Sequence, residues 1–175
     1  MEKRVAILYS TVDGQTLKIC KRIARHIENA GFSAEIFSIT DFENPISNYS
    51  NFIIGASIRY GKHNKKVTEF IEKHQRELES TNSAFFSVNL VARKAEKNSF
   101  NTNPYVIKFF KNIDWQPKMI EVFAGRLDYA SYSFTDRLLI KMIMKMTHGP
   151  TKTEKPIEYT DWKQVEAFSE KIIQT

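Results

Sequence analysis

Five consecutive apolar residues, Val5-Ala6-Ile7-Leu8-Tyr9, run into Ser10-Thr11-Val12-Asp13-Gly14-Gln15-Thr16, and a helical pattern follows. A strand with no polar alternation offers water neither face, so both must be covered, as in a parallel sheet with helices on each side. The helix carries Ile19, Ile23 and Ile27 on one face, with Cys20 and Ala24 beside them, and Gly31 is placed to end it in a left-handed conformation. A second strand, Ala34-Glu35-Ile36-Phe37-Ser38, completes a strand–helix–strand unit of the size that requires a right-handed crossover.

The pattern recurs along the chain. Phe52-Ile53-Ile54-Gly55, Ala84-Phe85-Phe86-Ser87-Val88-Asn89 and Met119-Ile120-Glu121-Val122-Phe123-Ala124-Gly125 read as the third, fourth and fifth strands, and Ala56 to Gly61 reads as a loop. Val67, Phe70, Ile71, His74 and Leu78 mark one helix. Thr102-Asn103-Pro104 starts another with a capping side chain before a first-turn proline, and Asp161 caps the last. These elements give one α/β domain over residues 1–175. Residues from Arg126 to about Pro156 form an insertion between the fifth strand and the last helix, longer than loops in compact domains usually are. Within it, Thr135 to Met146 has helical character and carries three of the five methionines. Arg137, Lys141 and Lys145 form a basic stripe every four residues, and Tyr129, Tyr132 and Phe134 precede the helix. Such a helix suits either an anionic membrane interface, engaged through Tyr129 to Met146, or a cover over a flat apolar substrate.

Composition narrows the classes. With 42% hydrophobic and 26% charged residues the chain is neither disordered nor a multi-pass membrane protein. A lone cysteine excludes an intrachain disulfide. Met1-Glu2-Lys3-Arg4 leads straight into the first strand without a signal-peptide core, so the expected location is cytosolic. The formal charge of +6 asks for an anionic partner. The segment from Arg93 to Lys118, with six basic and two acidic residues, contributes +4 and can meet carboxylates or lipid headgroups. No DNA- or RNA-binding signature is present, so no nucleic-acid partner is expected. His26, His63, His74 and His148 lack clustered partners, so no metal is expected.

The loop after the first strand carries the clearest chemistry. Hydroxyls and a glycine leading into a helix hold phosphate, because helix-start N–H groups and the helix dipole both favour an anion. Thr11 and Thr16 add hydroxyl donors, and Gly14 permits close backbone approach. The loop lacks the lysine of a Walker motif and the spacing of a dinucleotide fingerprint. In open α/β sheets the rest of a ligand lies beyond the carboxyl ends of the strands. Ser57-Ile58-Arg59-Tyr60-Gly61, Asn89-Leu90-Val91-Ala92-Arg93 and Gly125-Arg126 should therefore line it, with Tyr60 the best candidate for stacking on a flat heterocycle.

The phosphate loop resembles that of flavodoxins. Three strings extend the resemblance: Ile54 to Gly61 (IGASIRYG), Ser87 to Lys94 (SVNLVARK) and Ile140 to Met146 (IKMIMKM). With Tyr159-Thr160-Asp161-Trp162, they are similar to the bacterial flavodoxin-type, menaquinone-dependent protoporphyrinogen oxidases, in the right order over essentially the whole chain. The resemblance implies a flavodoxin-like, doubly wound, five-stranded parallel sheet of order 2-1-3-4-5 with a helical insertion near strand five. It also implies FMN as cofactor and oxidation of protoporphyrinogen IX to protoporphyrin IX in haem biosynthesis, with electrons passing to menaquinone or ubiquinone. The location it implies is peripheral, on the inner face of the bacterial cytoplasmic membrane. By position, Ser10, Thr11, Val12, Asp13, Gly14, Gln15 and Thr16 would cradle the phosphate. Ser57 to Gly61 and Asn89 to Arg93 would hold the isoalloxazine, with Gly125 beside them. Asp13 stands where flavodoxins carry a neutral hydroxyl; a carboxylate there repels phosphate unless it turns away or caps the helix. The alternatives are an FMN electron carrier, against which the basic balance speaks, and an NAD(P)H:quinone reductase. The cofactor carries the hard step, so no nucleophile or metal is required, and no general base is evident.

Overall fold

The computed structural model describes residues 3–175, so the Met1-Glu2 start lies outside the described residues. Five parallel strands form the sheet: β1 (Arg4–Ser10), β2 (Ser33–Ser38), β3 (Asn51–Arg59), β5 (Asn82–Asn89) and β6 (Met119–Ala124), in the order β2-β1-β3-β5-β6. This is the flavodoxin-like order expected from the sequence. Two apolar layers explain why β1 lacks alternation. Val5 and Ile7 face α1 (Gln15–Asn29) and α6 (Trp162–Gln174), packing with Ile19, Ile23, Ile53, Phe86, Phe123 and Phe168. Ala6 and Leu8 face the other side, with Phe52, Ile54, Phe70, Phe85 and Trp115. That second layer is covered by α2 (Lys65–Lys73), α3 (Gln75–Ser80) and α4 (Pro104–Phe110). Every residue from Val5 to Leu8 is fully buried.

Local signals act as read. Gly31 sits at φ +87° after α1, and its N–H donates to the Glu28 carbonyl at 2.9 Å. Asn103 accepts from the Tyr105 and Val106 N–H groups, and Asp161 from those of Lys163 and Gln164. Cys20 is a buried core residue whose thiol pKa burial pushes up.

Two elements differ from the sequence reading. The stretch Ala56–Gly61, expected as a loop, continues β3 as far as Arg59 and then folds back as β4 (Lys62–His63), which pairs antiparallel with Ile58 and Arg59. Positive φ at both Tyr60 (50°) and Gly61 (75°) supplies the twist of a two-residue hairpin turn. The single helix expected from Val67 to Leu78 is broken into α2 and α3 at His74, where the backbone leaves helical geometry (φ −113°, ψ 19°). The His74 ring leans on Phe70, centroids 4.7 Å apart, while Nδ1 meets Glu77 Oε2 at 2.5 Å.

The segment after β6 closes at its neck. β7 (Arg126–Leu127) pairs antiparallel with β8 (Ile157–Glu158), and the Tyr159 N–H donates to the Gly125 carbonyl at 3.0 Å. Between them lies α5 (Phe134–Met146), with Phe134 inside the helix rather than before it. Leu127, Tyr129, Tyr132 and Met144 form a small core of their own.

Gly55 in β3 has no room for a side chain: a Cβ would stand 2.1 Å from Cζ of Phe86. Gly55→Ala should therefore cost roughly 1–3 kcal/mol by overpacking, read as a lower urea midpoint at unchanged m.

Candidate functional site

The carboxyl ends of β1, β3, β5 and β6 open onto one cleft, with a cavity volume of about 110 Å³, roofed by α5. At one end is the loop between β1 and α1. Gly14 adopts φ +84° with open space where a Cβ would stand, and its N–H donates to Thr11 Oγ1 at 3.1 Å. Side chains cap α2, α4, α5 and α6, whereas α1 has no side-chain cap and no acid in its first turn. Thr16 is fully buried, and its hydroxyl has no hydrogen-bond partner among the described residues. A buried, unmatched donor at an uncapped helix start is the arrangement an anion completes. Gln15 braces the loop from behind: its Nε2 donates to Thr160 Oγ1 at 2.9 Å, and Thr160 Oγ1 donates to the Ala124 carbonyl at 2.7 Å.

Asp13 turns toward Arg59. It does not cap α1; its Oδ1 stands 3.7 Å from Nη1 of Arg59. Partial desolvation raises its pKa, and the Arg59 charge pulls the other way.

Arg59 has a second and closer partner. Its Nη2 is hydrogen-bonded to Asp136 Oδ2 on α5, and Tyr60 Oη donates to Asp136 Oδ1 at 2.7 Å. Ser133 Oγ donates to Asp136 Oδ2 at 2.6 Å. The Ser133 and Tyr60 hydrogen bonds, followed by the Arg59 charge, hold this buried carboxyl below the usual aspartate range. Arg93 does the same work at the other end of α5. Its Nη1 donates to the Leu90 carbonyl at 2.9 Å, and its Nη2 to Thr147 Oγ1 at 2.7 Å and to the Thr147 carbonyl at 3.0 Å. A Cβ on Gly149 would stand 2.7 Å from that nitrogen and 2.4 Å from Cε of Met144, so a side chain there would push one or both aside. Both arginines that the sequence suggests for the ligand are thus occupied in pinning the roof helix.

Beneath the β5 loop runs a buried polar chain. His63 Nε2 lies 2.9 Å from Ser87 Oγ, and Asn89 Nδ2 donates to that hydroxyl at 3.2 Å. Asn103 Nδ2 donates to Asn89 Oδ1 at 3.1 Å, and Asn89 Oδ1 also accepts the Ala92 N–H at 3.0 Å. Burial pushes the His63 pKa down to about 3, so its ring is neutral. The chain fixes the backbone of Asn89–Ala92 from below.

Of the residues expected from sequence, Thr11, Asp13, Gln15, Thr16, Ser57 to Gly61, Asn89 to Val91 and Gly125 line the cleft together. Ser10, Val12, Gly14, Ala92 and Arg93 do not line it. Tyr60 is 61% exposed and tethered through its hydroxyl. Sequence reasoning missed Tyr105, Tyr132, Asp136, Leu139 and Ile143, which also line it. The reading of this helix as a cover pointed to the segment, and Ser133-x-x-Asp136, a helix-start pattern carrying the one acid of α5, was the signal for Asp136. Among the described residues, no group of three or more His, Cys, Asp or Glu is placed to hold a metal.

Comparison with known proteins gives the same frame. The family described as Flavodoxin domain matches residues 6–154. Protoporphyrinogen IX dehydrogenase [quinone] of Escherichia coli K12 is 45% identical over 170 residues, covering 97% of this chain and 94% of that protein. The protein of the same name from Leishmania major is 42% identical over 165 residues, covering 93% of this chain and 71% of its own. Among solved structures, oxidised Flavodoxin 1 from Bacillus cereus superimposes with a TM-score of 0.57 at 12% identity, covering 98% of each chain, which speaks to the fold alone.

Because Asp136 has a depressed pKa, its ionised form favours the folded state. That contribution is present above the ordinary aspartate range and is lost as pH falls through the depressed value. At neutral pH, Asp136→Asn should be less stable than the parent in urea, and acidification should close the gap. A gap that stays constant with pH would contradict the role of the ionised carboxylate.

Proposed function

Since the chain belongs to the Flavodoxin domain family and, within it, to the quinone-linked protoporphyrinogen IX dehydrogenases, we infer that it is an FMN-dependent oxidoreductase of haem biosynthesis. It oxidises protoporphyrinogen IX to protoporphyrin IX and passes the electrons to a quinone. One observation carries this beyond the flavodoxin fold. An alignment that spans 97% of the chain necessarily includes residues 126–158, the clipped segment that roofs the cleft.

The residues present fit the cofactor. The buried, unmatched Thr16 hydroxyl, the uncapped start of α1 and the open space at Gly14 suit the phosphate of FMN. Thr11, Gln15 and Thr16 hold that phosphate, with Ser10, Val12 and Gly14 supplying the backbone of the loop. Asp13 stays turned to Arg59. Ser57 to Gly61, Asn89 to Val91 and Gly125 would hold the ring, with Ala92 and Arg93 supporting from behind. When bound, FMN supplies the hydride- and electron-transfer chemistry. The protein's part is positioning and shielding. Leu139, Ile140 and Ile143 present apolar side chains to the cleft and keep water from it.

The outer face of α5 supports a membrane role for the same segment. Phe134, Leu138, Met142 and Met146 recur every four residues, are 74%, 55%, 53% and 72% exposed, and form one apolar stripe. Arg137, Lys141 and Lys145 flank it. No helix among the described residues is long and apolar enough to cross a membrane. The stripe lies instead in the interface of an anionic bilayer, on the inner face of the cytoplasmic membrane, where a lipid-borne quinone is found. The domain is one unit over residues 1–175, and the insertion at about 126–156 supplies both roof and membrane contact.

Three measurements test this reading. The purified protein should bind FMN, and Thr16→Val should weaken that binding about tenfold or more, as expected for losing a hydrogen bond to a charged group. Anaerobic addition of protoporphyrinogen IX and a quinone should produce porphyrin fluorescence; a flavin-loaded protein that produces none would leave only a carrier. Leu138→Glu with Met142→Glu should reduce sedimentation with anionic vesicles while FMN binding persists.

A further inference from the structure

A second hollow of about 270 Å³ opens beside the cleft, between the β4–α2 junction and α4. The two adjoin, with Gly61 and Tyr105 lining both. Its floor is apolar or uncharged, formed by Phe109, Ile113 and the neutral His63, whose ring packs 4.6 Å from that of Phe109. Three lysines line it, Lys62, Lys65 and Lys108, and no carboxylate does. Lys65 is paired with Glu69 at 3.0 Å. Lys62 and Lys108 have no ion-pair partner among the described residues, and they come from separate elements, β4 and α4. A hollow with an uncharged floor and two unmatched cations suits carboxylates carried on an apolar ring.

Resting on the dehydrogenase reading above, we propose that Lys62 and Lys108 bind the propionate carboxylates of the porphyrinogen in this hollow, so that the macrocycle reaches from it past Tyr105 into the flavin cleft. The two propionates of protoporphyrinogen IX sit on adjacent pyrroles and leave the ring on one edge. One cationic hollow can therefore receive both and set which edge of the ring enters first. The rest of the ring edge is apolar and matches the cleft wall of Ile140 and Ile143.

The test compares protoporphyrinogen IX with its dimethyl ester, which keeps the ring and removes the charge. Flavin-loaded protein is assayed anaerobically with a quinone, and kcat/KM is measured for each compound. The parent protein should prefer the diacid. Lys62→Glu with Lys108→Glu should reduce the diacid-to-ester ratio about tenfold, since two exposed pairs are lost and reversal replaces attraction with repulsion. Lys62→Gln with Lys108→Gln should give a smaller loss of the same sign. An unchanged ratio, or an equal fall for both compounds, would overturn the proposal. So would loss of anionic-vesicle binding with the ratio intact, which would assign the lysines to lipid headgroups. A parent protein that oxidised neither compound would instead overturn the dehydrogenase reading, and this proposal with it.

Discussion

The start of α1 meets no side-chain cap, and the buried Thr16 hydroxyl beside it has no partner among the described residues. A helix end left open in this way is costly unless an anion or water satisfies it. The surrounding structure keeps it open. Asp13, the nearest acid, is drawn aside to Arg59, and Gln15 is tied back to Thr160 rather than folding over the loop. β1 is buried on both faces in the middle layers of the sheet, so the loop cannot shift to find another partner without moving the core. The open helix start is therefore built into the strand order.

What could be read from sequence follows the range of the interactions involved. Apolar runs and caps depend on residues within a few positions of one another, and these were legible: Gly31, Asn103 and Asp161 act as their local patterns indicate. The hairpin at Tyr60 was hidden because Arg-Tyr-Gly lacks the usual Asn-Gly or Asp-Gly signal, and because β3 overruns its neighbours. The break at His74 was hidden because its position fits the apolar spacing on both sides. Arg59 and Arg93 were singled out, but the protein groups they bind were not. Their partners lie 77 and 54 positions away, and no local pattern encodes such a distance.

The basic balance of the chain divides accordingly. Arg59 and Arg93 are used internally, to fasten one helix to two loops of the sheet. Lys18 and Arg22 lie over the Trp162 ring and pair with Glu158 and Glu166, joining α1 to α6. Each internal ion pair removes a cation and an anion together, so the net +6 is untouched by them; Arg137, Lys141 and Lys145 on α5 and Lys62 and Lys108 at the hollow beside the cleft are among the cations outside those pairs.

The clip formed by β7 and β8 changes how the chain can assemble. Because the Gly125 carbonyl and the Tyr159 N–H meet at 3.0 Å, everything between them is, for the five-stranded sheet, equivalent to a tight turn. The entropy of closing that span grows only slowly with its length. β6 and α6 can then dock by a short effective connection whether or not the intervening helix has formed, and that helix can complete its own small core afterwards. Changes in the length of the intervening segment are accommodated above the clip, and the strand register below it stays the same.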